Sequence, residues 1–236
     1  AGRDHRAVAG NARVTRQALI VGVGAGLSAS LARLLAGEGY AVALAARNVG
    51  KLGALAAGTG ATLHATDASD PAAMAALFAA IPAPEVAVYN ASFRVRGPVA
   101  TLDPAEVKRA LDISAFGAFL MAREAAGRME AAGRGTILFT GASAGVKGFA
   151  GSAPFAMGKF ALRGLAESLA RELHPKGVHV AHIVVDGAIR GAAKPDPGDD
   201  STLCPDAIAA EYLRLVRQPR SAWSHEITLR PWVEKF

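Results

Sequence analysis

The sequence predicts a doubly wound α/β domain, a parallel sheet with helices on both faces. Three observations predict it. From residue 18 onward, short apolar runs alternate with longer stretches whose apolar residues recur at helical spacing. The first run ends in Gly22-Val23-Gly24-Ala25-Gly26-Leu27-Ser28, a glycine string that leads straight into the first helical stretch. The chain has 236 residues, 51% of them hydrophobic, which is enough for one sizeable core.

Each element has its own signal. Ala18–Val23 reads as a buried strand, and Leu27, Leu31, Leu34 and Leu35 mark a helix closed by Gly37 and Gly39. A second strand spans 41–46, a helix lies around 49–57, and a third strand covers 61–66. Asp70-Pro71 opens the next helix, aspartate as the cap and proline at the first helical position. Residues 85–90 form a fourth strand. Asp103-Pro104 repeats the helix start, and apolar spacing from Val107 to Met129 predicts one long helix. A strand at 136–140, a helix at 152–173 with Leu162, Leu165, Leu169 and Leu173 on one face, and a strand at 178–185 follow. Residues 187–204 are rich in Gly, Pro and Asp and have no period. A helix near 206–216 and a strand near 225–229 complete the pattern. No internal repeat or domain linker interrupts it.

Composition excludes several classes. No apolar run reaches the ~18 residues of a membrane span. A single cysteine, Cys204, rules out a disulfide scaffold and a multi-thiolate metal site. A reduced cytoplasmic location is the expectation. The net charge is +6, but half of it comes from residues 1–16, where four arginines face Asp4 alone. That segment reads as a flexible basic leader, with the folded domain at 17–236. Nucleic acid is accordingly not the expected partner. His179 and His182, three apart on a strand, face opposite sides and make no metal pair. Gly141-Ala142-Ser143-Ala144-Gly145 has no matched histidine and acid, so a nucleophile elbow is not supported.

The glycine string points to a nucleotide. Glycine allows a tight turn and close approach of backbone to a pyrophosphate, and the helix N-terminus favours the anion. Arg47 directly follows the second strand, where such folds reach the adenosine ribose. A guanidinium pairs with a 2′-phosphate, where an acid would repel it, so NADP(H) is expected over NAD(H). A plain solvated arginine is the alternative. Asp67 ends the third strand, placed to accept from an adenine amino group or to serve as an ordinary turn residue.

These residues resemble the short-chain dehydrogenase/reductase family. Gly22 and Gly26 match two glycines of its TGxxxGxG pattern, with Val21 and Ser28 in place of its Thr and last Gly. Asn90-Ala91-Ser92 stands where the family has Asn-Ala-Gly, and Asp186-Gly187-Ala188-Ile189 where it has Pro-Gly before a substrate loop. The resemblance implies a Rossmann fold with a seven-stranded sheet in the order 3-2-1-4-5-6-7. It implies cofactor contacts at Gly22, Gly24, Gly26, Leu27, Arg47, Asp67, Ala68, Asn90, Ala91, Lys159, Gly187 and Ile189.

The family's chemistry uses a tyrosine acid/base, a serine, a lysine and an asparagine. Here YxxxK reads Phe155-Ala156-Met157-Gly158-Lys159, so only the lysine is kept. The serine position falls on Ala142, with Ser143 beside it, and the asparagine position is best matched by Ser114. Phenylalanine fills the tyrosine's volume but has no proton to give. General acid catalysis is commonly worth ~10²–10⁴ in rate, so an ordinary ketone reductase would suffer from the change. Three outcomes are open: a substrate that carries its own polarisation, a proton from Ser143, Tyr89, Lys159 or water, or no turnover. The expected function is hydride transfer between NADP(H) and a small organic substrate, and the alternative is a cofactor-binding sensor or scaffold. Residues 187–204 are expected to form a flap over the substrate. Trp223, Trp232 and Phe236 read as packing or subunit-contact residues. The resemblance further implies a homodimer or homotetramer, with Ala118, Ala122 and Ala125 letting helices approach closely.

Overall fold

The structure is a computed structural model that describes residues 16–191 and 194–234. Seven strands, β1 (Gln17–Val21), β2 (Ala41–Ala46), β3 (Thr62–Ala65), β4 (Val86–Tyr89), β5 (Gly135–Thr140), β6 (Val178–Val185) and β7 (Glu226–Leu229), form one sheet. Every pairing is parallel and the order is β3-β2-β1-β4-β5-β6-β7, as the sequence predicts.

Strand side chains alternate between two cores, the period of two that a pleated strand imposes. Leu19, Val21, Tyr89 and Phe139 join the layer that holds α3 (Pro71–Ala80), α5 (Gly117–Ala132) and α6 (Ala153–Leu173). Ala18, Ile20, Val88 and Leu138 join the layer that holds α1 (Leu27–Gly37) and α7 (Pro205–Val216). A short helix, α2 (Gly53–Thr59), follows β2. Both aspartate caps form. Asp70 accepts from the amides of Ala72 and Ala73, and Asp103, ahead of α4 (Pro104–Leu111), accepts from Ala105.

The long helix predicted over 107–129 is divided. Between α4 and α5 lies a π-helical turn, Asp112–Phe116, with Ser114 fully buried at its centre. The cause is tertiary. A Cβ on Gly158 of α6 would lie 2.8 Å from the Ser114 Cβ, so α6 packs on the Ser114 side chain with room for glycine alone at 158. Such turns are frequent at functional sites.

Ala118, Ala122 and Ala125 do not face a partner. They are buried in the core under the sheet, where their small size brings α5 close to the strands. The outward surfaces of this region carry Phe116 and Phe119, with Met157 and Phe160 on α6. Trp223 packs inside, stacked on His179 at 4.8 Å, whereas Trp232 is 80% exposed. Phe236 and residues 1–15, all but the last of the segment expected to be a leader, lie outside the described residues. Arg16 sits with its guanidinium 4.2 Å from the Tyr40 ring centre.

In the 187–204 segment, Ile189 pairs with Leu203, and Arg190 forms ion pairs with Asp196 and with Asp200. Ala192 and Ala193 fall outside the described residues.

Candidate functional site

Strand order reverses between β1 and β4, and in open parallel sheets that is where a crevice opens beyond the strand ends. A cleft of about 570 Å³ lies there. Gly22 turns at φ +90°, and a Cβ on it would lie 2.2 Å from the Ala91 amide nitrogen. Only glycine fits that turn. Ser28, in place of the family pattern's last glycine, donates to the Gly22 carbonyl at 3.0 Å, and the Asn90 amide donates to its hydroxyl at 2.6 Å. The serine thus ties the turn after β1 to the end of β4.

Of the predicted cofactor residues, Gly22, Gly24, Arg47, Asp67, Ala68, Asn90 and Ala91 line this cleft. A Cβ on Gly24 or Gly26 would meet nothing within 4 Å, so both glycines border open space. Leu27 turns its side chain into the core, leaving its backbone at the start of α1. Gly187, at φ +151°, packs against Pro231, and Ile189 packs into the core layer around α7. Neither touches the cleft wall. The sequence reading missed Asn48, Thr66, Ser92 and Ile113, which also line it. Asn48 follows Arg47, Thr66 precedes Asp67 and Ser92 completes the Asn-Ala-Ser string, so three of the four lie beside residues already singled out.

Arg47 is exposed at the cleft's edge. Hydrogen bonds from the Ser69 hydroxyl and amide hold the Asp67 carboxyl below the usual range, and the charges of Arg47 and Arg109 press the same way. Asp67 is therefore a fixed acceptor in its turn.

A second group of residues gathers at the first turns of α6. Phe155 is 7% exposed and Lys159 3% exposed. The Lys159 ammonium donates to the Thr140 carbonyl at 2.7 Å and lies 5.8 Å from the Phe155 ring centre. Burial, helped by the charge of Arg94, brings its pKa down to about 7. An ammonium has three N–H donors, and the carbonyl takes one. The buried amine is thus suited to hold the hydroxyls of a bound sugar, and it can gain or lose a proton near neutrality.

Ser114 stands behind this group, its hydroxyl accepting from the Phe93 amide at 3.4 Å. Ala142 is extended, and Ser143 begins the tight turn Ser143–Gly145 that packs on α6. Tyr89 cannot be the replacement acid. Its hydroxyl is fully buried, donates to the Ile113 carbonyl and has its pKa pushed up by burial. Strand alternation turns this side chain under the sheet and away from the cleft.

The structure adds Arg94, on the loop after β4. Its guanidinium carbon lies 4.2 Å from the Phe155 ring centre. The two histidines of β6 are tied up separately, His179 on the Ser224 carbonyl at 2.9 Å and His182 on Glu226 at 3.0 Å. Arg163 holds the same Glu226 through two hydrogen bonds of 2.7 Å.

The family model described as short chain dehydrogenase matches residues 16–193. Over 182 residues the chain is 31% identical to the cyclic-di-GMP-binding biofilm dispersal mediator protein of Escherichia coli, spanning 76% of each. Over 99 residues, 42% of this chain, it is 36% identical to human 17-beta-hydroxysteroid dehydrogenase type 1 and spans only 30% of that protein. A metagenomic short-chain oxidoreductase solved with NADP superposes with a TM-score of 0.80 at 31% identity, covering 93% of this chain and 98% of that one. No helix among the described residues is long and apolar enough to cross a membrane. With the sheet order, the glycine turn and a family match over most of its length, the chain belongs to the short-chain dehydrogenase family.

Proposed function

We propose that the protein is an NADP(H)-dependent oxidoreductase that reduces a small organic substrate without a tyrosine acid. One observation carries this reading: the buried Lys159, engaged by a single carbonyl and brought near neutrality, stands beside the ring that replaces that tyrosine. A lysine this buried and without a carboxylate has little structural justification of its own. In this reading its remaining donors hold ribose hydroxyls of the cofactor and its proton supplies the substrate oxygen. The bound dinucleotide supplies the hydride.

The glycine turn supports the rest of the assignment. Backbone at Gly22, Gly24, Gly26 and Leu27 would receive the pyrophosphate, and Arg47 the 2′-phosphate. Asp67 and Ala68 would border the adenine, and Asn90 and Ala91 the nicotinamide side. Gly187 and Ile189 would act through the backbone of the loop that closes on the cofactor. The NADP complex of the 31% identical structure supports the choice of cofactor. Ser143 and Ser114 serve as secondary groups, the first as hydroxyl donor to substrate and the second as a support for the Phe93 loop. Residues 187–204 form the substrate flap, residues 1–16 a basic leader, and the protein works as a homo-oligomer.

A second reading is a cofactor-binding protein with little turnover. Phe155 favours it, as does the similarity to a relative named for binding a cyclic dinucleotide.

NADPH and NADH titrations followed by fluorescence, then NADPH oxidation in the presence of ketones, imines and enones, test the choice. Turnover with any substrate class supports the enzyme. Tight NADPH binding with no turnover, together with carbonyl reduction gained by Phe155→Tyr, supports the second reading.

A further inference from the structure

Positively charged side chains gather around Phe155. Arg94 projects from the loop after β4 and lays its guanidinium on the Phe155 ring, 4.2 Å from ring centre to guanidinium carbon. Arg96, two residues on, is close enough to press on it, and Lys159 feels the charge of Arg94 from the other side. Among the described residues, neither Arg94 nor Arg96 has a carboxylate within ion-pair distance, although thirteen such pairs form elsewhere in the molecule. The buried carboxylate of the Asp186-Gly187 turn is already held by Arg230 at 3.2 Å. Arg94 and Arg96 are both exposed, so their guanidinium groups are open to donate charge-assisted hydrogen bonds to a docking anion.

The contact with the ring holds the guanidinium beside Phe155, and its planar fork of N–H donors matches a carboxylate in two parallel hydrogen bonds. A phenol at residue 155 would direct its hydroxyl at the substrate. A phenylalanine there serves instead as a platform for Arg94.

We infer that Arg94, held over the Phe155 ring, is the substrate-binding residue of this site and selects a carbonyl compound that bears a carboxylate. This deepens the oxidoreductase reading and rests on it. In that arrangement the carboxylate pairs with Arg94, the carbonyl carbon accepts hydride from NADPH, and its oxygen takes a proton from Lys159 or water. The products are the hydroxy acid and NADP⁺.

The experiment compares 2-oxo and 4-oxo carboxylates of four to eight carbons with their methyl esters. Each is assayed for NADPH oxidation, and each is titrated calorimetrically into the NADP⁺-loaded protein. A charge-assisted pair is worth about 10–100-fold, so at least one acid should exceed its ester by that factor in kcat/KM or in affinity. The ratio should fall toward one at high salt and in Arg94→Gln. Arg94→Lys, which keeps the charge but not the planar fork, should be intermediate. Arg33→Gln, an equal charge change at an exposed site on α1, should keep the full ratio. Esters matching or exceeding their acids in the unmodified protein overturn the inference without touching the oxidoreductase reading. So does an acid preference that survives Arg94→Gln. If none of these compounds turns over, the calorimetric ratio of acid to ester still decides whether Arg94 selects an anion, and the screen of ketones, imines and enones decides the oxidoreductase reading separately.

Discussion

The Asn90 amide donates to the Ser28 hydroxyl at 2.6 Å, and that hydroxyl donates to the carbonyl of Gly22. Two strand ends and the first turn of α1 are joined through one oxygen. Ser28 is 1% exposed, so water cannot replace it. Removing the hydroxyl leaves the Asn90 amide and the Gly22 carbonyl with only the direct 3.4 Å contact between them, a loss of about 1 kcal/mol. Ser28→Ala should therefore lower the urea midpoint at unchanged slope and weaken NADPH binding. Ser28→Gly restores the family's glycine pattern but should do no better, since it loses the same oxygen and adds glycine's backbone entropy.

Arg47 stands exposed on the cleft wall beside Asn48. If it receives the 2′-phosphate, Arg47→Ser should weaken NADPH binding about 10–100-fold, the value of one or two charge-assisted contacts. NADH lacks that phosphate and should change by no more than about threefold. Fluorescence titration of both nucleotides measures the two losses. Equal losses would mean that the arginine does not read the phosphate.

Much of the fold was legible because its signals are local. Asp70-Pro71 and Asp103-Pro104 are complete helix starts within two residues, and both caps form. The glycine turn was legible because Gly22 is required by its own backbone and by Ala91. What the sequence hid depends on partners distant in the chain. The π-helical turn at Ser114 lies where Gly158 of α6, distant in the chain, packs against it, and helical spacing continues through it unbroken. Ala118, Ala122 and Ala125 suit close approach to a sheet as well as to another helix, so their spacing alone did not say which. The side of the sheet that Tyr89 faces follows from strand alternation only once the register is known. The position of Arg94 belongs to a loop, which has no period to read.

Lys159 should give the apo protein an unusual pH dependence. Its pKa falls from 10.5 to about 7 on folding. Between those values the unfolded chain holds a proton that the folded chain lacks, so stability rises with pH across the window. Below about pH 7 both states are protonated and the full cost of burying an ammonium applies. Lys159→Met removes that cost. The variant should gain most relative to the natural chain near pH 6, and the difference should shrink toward pH 10, measured as urea midpoints without nucleotide. If the ammonium is also the proton source for reduction, kcat/KM should fall above about pH 7 by up to tenfold per unit. That limb should be absent from the pH profile of whatever activity Lys159→Met retains. A flat stability difference would mean that the amine is solvated.

Phe116 and Phe119 stack with ring centres 6.1 Å apart, yet they are 43% and 44% exposed. On α6, Met157 and Phe160 are 49% and 46% exposed, three residues apart and so neighbours on one surface. Four large apolar side chains on the outer surfaces of α5 and α6 are more than scattered exposure explains, and such patches mark association sites. With the alanines of α5 committed to the sheet, these larger residues are the ones available to meet a second copy. A carboxylate at either place would be buried without a partner in a symmetric contact, where the two copies bring the same residue close together. If the protein is the homo-oligomer proposed above, Phe119→Glu with Phe160→Glu should convert it to monomers in sedimentation velocity, with the far-ultraviolet circular dichroism unchanged. If the doubly substituted protein sediments like the natural one, subunits meet elsewhere, and exposed Trp232 becomes the next residue to change.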